Sequence, residues 1–284
     1  MRKYFSIVLL CLLVLPSFQG RAEERLTVLT WNTGRMDYKH KSEQNAVLRF
    51  LMEQDADIIC LQEVDVYKDA HFITLAEVRQ VLRRKYPYSY IDFSQYDKRH
   101  QFGLMVWSKY PLINKQTLHY EWKGNISDRC DVVIGQDTIR LLNNHLQSYS
   151  FTAKDMEEFD RTHSYEGLKA TFYRLKAKWE HALPLRNEQA RVVRKEIDAS
   201  PYPVIVVGDF NSIALSYAYW HISRGLHDAW RAIHPFRYGA TCEHRGVGAR
   251  IDYILCSESL RPLDCVIKET TASDHKPVVA TLQL

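Results

Sequence analysis

Two hydrophobic periods alternate along the chain. Residues 26–31 (LTVLTW) and 57–62 (DIICLQ) are short apolar runs of the kind that form buried strands. Between them Val47, Phe50 and Leu51 recur at helical spacing within residues 42–54. Leu75, Val78, Val81 and Leu82 predict a second amphipathic helix. From about residue 88 to 145 the pattern turns to strands, in YSYIDF, FGLMVWS, QTLHY, CDVVIG and TIRLLNNHL, with GQD as a hairpin turn between the last two. Residues 153–199 return to helical spacing, and the stripe Leu168, Phe172, Leu175 and Trp179 predicts a face packed on the core. The β-branched run 204–207 (VIVV), then RIDYILC and KPVVATLQL, supply the last strands. Helices interleave with strands in both halves, but hairpins also occur. That mixture predicts an α/β protein with packed mixed sheets, not one parallel doubly wound sheet.

Composition adds a domain count and a compartment. The 284 residues are 46% apolar, contain no repeat or Pro/Ser-rich linker, and read as one domain with a sizeable core. Its N-terminus reads differently. Arg2 and Lys3 precede an apolar run from Phe5 to Leu15, and Gly20 and Ala22 are spaced for cleavage after Ala22. Residues 1–22 therefore read as a signal peptide and 23–284 as the mature domain, secreted or periplasmic. The apolar run falls short of the roughly 20 residues that span a bilayer, so no stable membrane span is expected. A monomer is expected. The leader holds Arg2, Lys3 and Arg21 and no acid, so its removal takes the formal charge from +4 to +1. A near-neutral chain lacks the global basic footprint of a typical nucleic-acid binder, although a local patch stays open. Five cysteines remain (Cys60, Cys130, Cys242, Cys256 and Cys265), an odd number that leaves at least one unpaired. Cys60 reads as a core thiol. Cys242 and His244 lack any accompanying C-x-x-C or H-x₃₋₅-H, so spacing predicts no zinc site there.

The polar residues beyond the strands carry the chemistry. Asn32 follows LTVLTW, Glu63 follows DIICLQ, and His145 closes IRLLNN. Asp209 and Asn211 follow VIVVG, Asp252 sits within RIDYIL, and Asp274-His275 directly precede KPVVATL. Each alone has a bland reading, since Asp and Asn commonly make turns after strands. Strand ends on one edge of a sheet converge in space, however, as the ligand sites of open α/β sheets do. So many coincident ends predict one shared site.

The ordered set TWN, LQE, NNHL, GDFN, RIDYIL and SDHKPV resembles the endonuclease/exonuclease/phosphatase family, over about residues 26–284; FGLMVWSKYPL is similar to a further segment of that family. The family includes pancreatic-type deoxyribonucleases, abasic-site endonucleases, neutral sphingomyelinases and inositol-polyphosphate phosphatases. The resemblance implies a four-layer α/β sandwich, with two mixed β-sheets packed face to face and flanked by helices. It implies hydrolysis of a phosphoester with Mg²⁺ or Mn²⁺, because a hard divalent ion offsets phosphate charge and stabilises the developing oxyanion. By resemblance Glu63 is the principal metal ligand, with Asn32 and Asp274 near the ion or supporting its shell. Asp209 would orient or deprotonate the attacking water, and Asn211 would contact the phosphate. His275, with Asp252 as its carboxylate partner, would bind the scissile phosphate. His145 would contact the phosphate or protonate the leaving oxygen. One departure stands out. Some members carry a second carboxylate two residues after the WN asparagine, where this chain has Gly34; Asp37 lies further along.

Three substrate classes stay open: nucleic acid, a phospholipid headgroup, and a small inositol or sugar phosphate. A non-catalytic binding module is the alternative of another class; losses in such modules strike the water-activating Asp or the histidines, and here all are present. The segment 147–182 is long for a strand-to-helix connection and reads as a rim that selects substrate. Tyr149 and Phe151 would start beside the site, and Lys169, Arg174, Lys176 and Lys178 would lie on exposed faces.

Overall fold

Residues 24–118, 120, 126–149, 165–244 and 247–284 are described by a computed structural model. The predicted leader, residues 1–22, and Phe151 lie outside the described residues. One six-stranded sheet contains β1 (Arg25–Asn32), β2 (Ile58–Tyr67), β3 (Tyr88–Tyr96), β4 (His100–Ser108), β13 (Arg261–Ile267) and β14 (Val278–Gln283), in the order β13-β14-β1-β2-β4-β3. The other contains β5 (Leu112–Leu118), β6 (Ile126–Ile134), β7 (Asp137–His145), β8 (Val204–Asp209), β9 (Leu226–Asp228) and β12 (Asp252–Ser257), in the order β5-β6-β7-β8-β12-β9. Both sheets are mixed, with β1–β2 and β7–β8 parallel and their other described pairs antiparallel. A small hairpin pairs β10 (Cys242–His244) with β11 (Val247–Ala249). The helices are α1 (Ala46–Glu53), α2 (Leu75–Leu82), α3 (Tyr165–Asp198), α4 (Tyr217–Ser223) and α5 (Ala229–Ile233). Among the described residues no helix is long and apolar enough to cross a membrane.

The apolar runs are continuous because both faces of each central strand are covered. Val28, Ile58, Cys60 and Val106 of the first sheet meet Ile205, Val207, Ile254 and Cys256 of the second in the space between them. The intervening residues Leu29, Ile59 and Leu61 point the other way, under Val47, Leu48 and Leu51 of α1 and Val78 and Leu82 of α2. Val204 and Val206 likewise turn outward to Ala190, Val193 and Ile197 of α3 and Ala218 and Ile222 of α4. Three cores separate four layers, as the family resemblance implies. Cys60, Cys130, Cys256 and Cys265 are buried free thiols, and Cys242 is a half-buried one.

Two readings of the pattern need correction. The first concerns the strand at 57–62, which does not stop before Glu63. β2 runs on to Tyr67, and its register with β4 shifts between Leu61 and Val64. That bulge holds Glu63 at φ +49°. The second concerns the stripe of α3: Phe172 and Trp179 do not face a core, Leu175 is half-buried, and the side chain of Leu168 lies outside the described residues. Phe172 is 61% and Trp179 45% exposed, and body contact comes from Ala182, Arg186, Gln189, Ala190 and Val193. Length explains it: a helix of 34 residues runs about 51 Å, whereas a six-residue strand such as β8 runs about 20 Å. The first half of α3 overhangs the layer that its second half covers. Lys169, Arg174 and Lys176 are exposed there and Lys178 is half-buried. Strands β9, β10, β11 and β13 were not legible as apolar runs.

Buried polar groups sew the two sheets together beneath their open end. Gln62 Nε2 of β2 donates to Asn143 Oδ1 of β7 at 2.7 Å, and Asn143 Nδ2 donates back to the Leu61 carbonyl at 3.2 Å. Asn143→Ala strands these buried groups and is expected to cost about 1–3 kcal/mol, read as a lower urea midpoint. Asp128, paired in register with Asn143, accepts no hydrogen bond at either carboxylate oxygen and faces Asp92, to which its protonated form can donate. Burial, and after it the facing charge of Asp92, raise its pKa well above the ordinary carboxylate value. The folded state therefore keeps a proton that the unfolded chain releases above about pH 4, so stability falls as pH rises from there toward the folded pKa. Asp128→Asn removes that slope. The fall in unfolding free energy from pH 5 to pH 8 should be smaller in the variant than in the wild type, by the part that Asp128 contributes.

Candidate active site

Strand register assembles the site. In β7 and β8 His145 pairs with Asp209, and in β8 and β12 Asp209 pairs with Asp252, so the three form one row across adjacent strands. Two residues earlier the same row is apolar or amide (Asn143, Val207, Ile254) and faces the other sheet; the next step along places the titratable groups at the open end of the intersheet core. From the first sheet Asn32 lies in register with Gln62, and Glu63 follows at the bulge.

Hydrogen bonds hold these side chains in place. Asn32 Nδ2 donates to Glu63 Oε1 at 3.1 Å and to Asp209 Oδ2 at 3.0 Å, while its Oδ1 accepts from the Gly34 amide at 3.1 Å. Asn32 thus clamps two carboxylates together and turns its nitrogen, not its oxygen, toward them. Asp209 Oδ1 accepts from the Asn211 amide at 2.7 Å, and its Oδ2 from Asn211 Nδ2 at 3.2 Å. Asn211 sits at φ +48°, a conformation asparagine tolerates, and its Nδ2 also donates to the Leu146 carbonyl at 3.0 Å. Glu63 is less tolerant of its left-handed backbone. Its carbonyl is gripped by Thr33 Oγ1 at 3.0 Å and the Arg35 amide at 3.1 Å. Gly208, at φ +124°, has no room for a side chain, since a Cβ would stand 2.0 Å from the Asn144 carbonyl oxygen.

Two imidazoles flank Asp209. His145 Nε2 lies 3.5 Å from Glu63 Oε1 and 3.9 Å from Asp209 Oδ2, buried and with no hydrogen-bond partner. An orphaned buried nitrogen aimed between two carboxylates marks a place built for a further group. His275 presents Nε2 3.9 Å from Asp209 Oδ2, and its Nδ1 lies 3.0 Å from Asp252 Oδ2. Burial alone would pull its pKa down, but the charges of Asp252 and Asp209 outweigh that and raise it well above the ordinary histidine value. Thr241 Oγ1 donates to Asp252 Oδ2 at 2.7 Å, and Trp31 Nε1 donates to the His275 carbonyl at 2.9 Å. Asp274 is exposed and lies beside Cys242 and His275. Its position touches the Gly34 departure: a Cβ on Gly34, at φ +53°, would come within 2.9 Å of Ser273 Oγ and 3.4 Å of Asp274 Oδ1. Asp37 does not stand in for the missing carboxylate. Its Oδ2 accepts from the Ala46 amide at 2.8 Å and its Oδ1 lies 2.7 Å from His40 Nδ1, which turns it to the start of α1.

Arg186 was missed by sequence reasoning, because an arginine in a polar helix reads as a solvated face. It is fully buried. Its Nε donates to the Gln147 carbonyl at 2.7 Å, its Nη1 to Ser212 Oγ at 3.1 Å, and its guanidinium lies 3.9 Å from the Tyr149 ring centroid. The fork thereby joins the residues just after His145 to those just after Asn211.

A sandwich of this layering, with imidazoles and carboxylates facing one another at its open end, is that of a phosphoester hydrolase. Residues 29–275 match the model of the Endonuclease/Exonuclease/phosphatase family, and the chain belongs to that family. Among solved structures, an endonuclease/exonuclease/phosphatase from Beutenbergia cavernae DSM 12333 is 18% identical with a TM-score of 0.68, over 92% of this chain and 72% of its own. TDP2 from Caenorhabditis elegans is 21% identical with a TM-score of 0.61, over 92% and 75%. Sphingomyelinase C from Streptomyces griseocarneus is 19% identical with a TM-score of 0.61, over 91% and 99%. No curated protein sequence matches the chain. Enzymes of this family generally use divalent metals, and the oxygen donors at Glu63 fit a hard cation: the carboxylate is 30% exposed and only its Oε1 is engaged by Asn32.

Lysine cannot reproduce the two-pronged reach of Arg186. Arg186→Lys should lower turnover between about ten- and a hundredfold, the scale of a slightly misplaced catalytic group. Steady-state kinetics beside a thermal melt checks this, with the melt expected to move far less than the rate.

Proposed function

We propose that the chain is an exported, Mg²⁺- or Mn²⁺-dependent phosphodiesterase. One observation carries the reading: Asp209 lies between two buried imidazoles, each 3.9 Å away, with Glu63 alongside. Glu63 would hold the divalent ion, with Asn32 orienting its carboxylate and Asp274 supporting the shell. The chemistry a bound divalent ion supplies is neutralisation of phosphate charge and stabilisation of the developing oxyanion. Asp209 accepts the proton of the attacking water and points it at phosphorus; the donors from Asn32 and Asn211 hold it in place. In this reading Asn211 acts through Asp209, since its amide nitrogen is already committed. The His275 imidazolium, kept charged by Asp252, binds a non-bridging phosphate oxygen. His145 Nε2 meets the leaving oxygen and delivers the proton that departure requires. A neighbour named as a 2',3'-cyclic phosphatase (ANGEL2) and one named as a sphingomyelinase share this fold, which makes cyclic phosphates and sphingomyelin substrates to try.

Asp209→Ala and His275→Ala should each lower turnover at least about a hundredfold while the protein stays folded. The assay panel is plasmid DNA, RNA, sphingomyelin, bis-nitrophenyl phosphate and phosphorylated inositols, with Mg²⁺ or Mn²⁺. No turnover on any of them would favour a binding module. Glu63→Gln should raise the Mg²⁺ concentration needed for half activation, and chelator should abolish wild-type activity until Mg²⁺ is restored. Full activity in chelator would remove the metal from the mechanism. Intact mass of the exported protein should correspond to a chain beginning at Glu23.

A further inference from the structure

Cys242 has no zinc-like spacing to any ligand in sequence, but the fold supplies one. Residues 241–243 run antiparallel to 274–276, and Cys242 forms a β-bridge directly opposite His275. The Lys276 amide donates to the Thr241 carbonyl at 2.6 Å, which locks that pairing. As a result Cys242 Sγ, a carboxylate oxygen of Asp274 and a ring nitrogen of His275 all lie within 4.8 Å of one another. Cys242 is half-buried and Asp274 exposed, so the group is reachable from solvent. Its donors are sulfur, nitrogen and oxygen, unlike the oxygen donors at Glu63.

We propose that Cys242, Asp274 and His275 form an inhibitory site for a borderline-soft divalent cation, Zn²⁺ foremost, which does not use Glu63 but draws on Asp274, the residue the proposed function places in the shell of the Glu63 ion. Thiolate and imidazole select zinc over magnesium, which takes hard oxygen ligands and gives up its waters reluctantly. Tetrahedral zinc with bonds of ordinary length sets its ligands about 3.5 Å apart. Side-chain rotation of exposed Asp274 and half-buried Cys242 closes the remaining gap. The fourth position stays open to water. Binding releases the thiol proton of Cys242 and the extra ring proton of His275 to solvent, because both ligate only in their deprotonated forms. That is the conflict. Phosphate binding in the proposed reading uses the ring of His275, and zinc held by Cys242 and Asp274 takes that same ring as its third ligand. One occupant excludes the other.

The test has two arms. Cys242→Ala removes a metal ligand and none of the groups assigned to catalysis, so its Mg²⁺-supported activity should stay within about twofold of wild type. With Mg²⁺ saturating, Zn²⁺ should inhibit the wild type at concentrations at least about tenfold lower than the variant; loss of groups one shell out already costs about 10–100-fold in metal affinity. Equal zinc sensitivity would mean zinc acts elsewhere, such as at Glu63, and would overturn the proposal. The second arm needs no turnover and stands even if the phosphodiesterase reading fails. Co²⁺ titrated into the intact protein should produce a thiolate-to-cobalt charge-transfer band that Cys242→Ala lacks. The other described thiols, Cys60, Cys130, Cys256 and Cys265, are wholly buried and do not compete for it. A missing band in the wild type, or one that persists in the variant, also overturns the site.

Discussion

Everything at the open end depends on the register in which β8 lies between β7 and β12. Side chains alternate along a strand, so a slip of one residue would turn Asp209 out of the intersheet space and into the layer of α3 and α4. Gly208 guards against it. Its backbone, at φ +124°, presses so close to the Asn144 carbonyl that only a residue without a Cβ fits there. The same alternation that buries Ile205 and Val207 between the sheets therefore delivers Asp209 to the row shared with His145 and Asp252. Packing and chemistry are set by one periodicity.

The site joins two kinds of electrostatic environment. Asp209 is 1% exposed, yet three hydrogen bonds, from one backbone amide and two carboxamides, replace the water it has lost. Donors of that kind fix the carboxylate in place without adding a formal charge. His275 is stabilised by charge itself, through Asp252. Glu63 is more exposed and held by a single carboxamide, which leaves it free to meet a cation from solvent. In the proposed reading the carboxylate that is to bind an ion keeps an unengaged oxygen, and the one that is to steer a water is held by donors.

Much of this was legible before any coordinates. Strands buried on both faces announce themselves as apolar runs, and carboxylates or imidazoles just beyond such runs have few reasons to be there. What failed was position along an element. Glu63 read as a strand end because a bulge leaves no mark in a hydrophobic pattern, and β2 continues through it to Tyr67. The stripe on α3 read as core because periodicity reports a face but not whether anything lies opposite; there the layer beneath ends before the helix does. Arg186 and Thr241 were invisible for another reason. Each acts through hydrogen-bonded neighbours distant in sequence, and neither residue type is out of place where it stands. Cys242 beside His275 belongs with them, a contact made only by a bridge between two separate segments.

The place of β1 has a consequence for how the protein comes into being. β1 lies between β2 and β14, and the Trp31 indole bonds the carbonyl of a residue 244 positions further along the chain. Whatever β1 and β2 form early in synthesis keeps one unpaired edge until β14 emerges, because only that strand completes the row of ladder hydrogen bonds. The imidazole of His275 rides on the turn just ahead of β14. Docking of β14 thus closes the sheet and brings His275 beside Asp209 and Asp252 in one event, and the centre is not assembled before it.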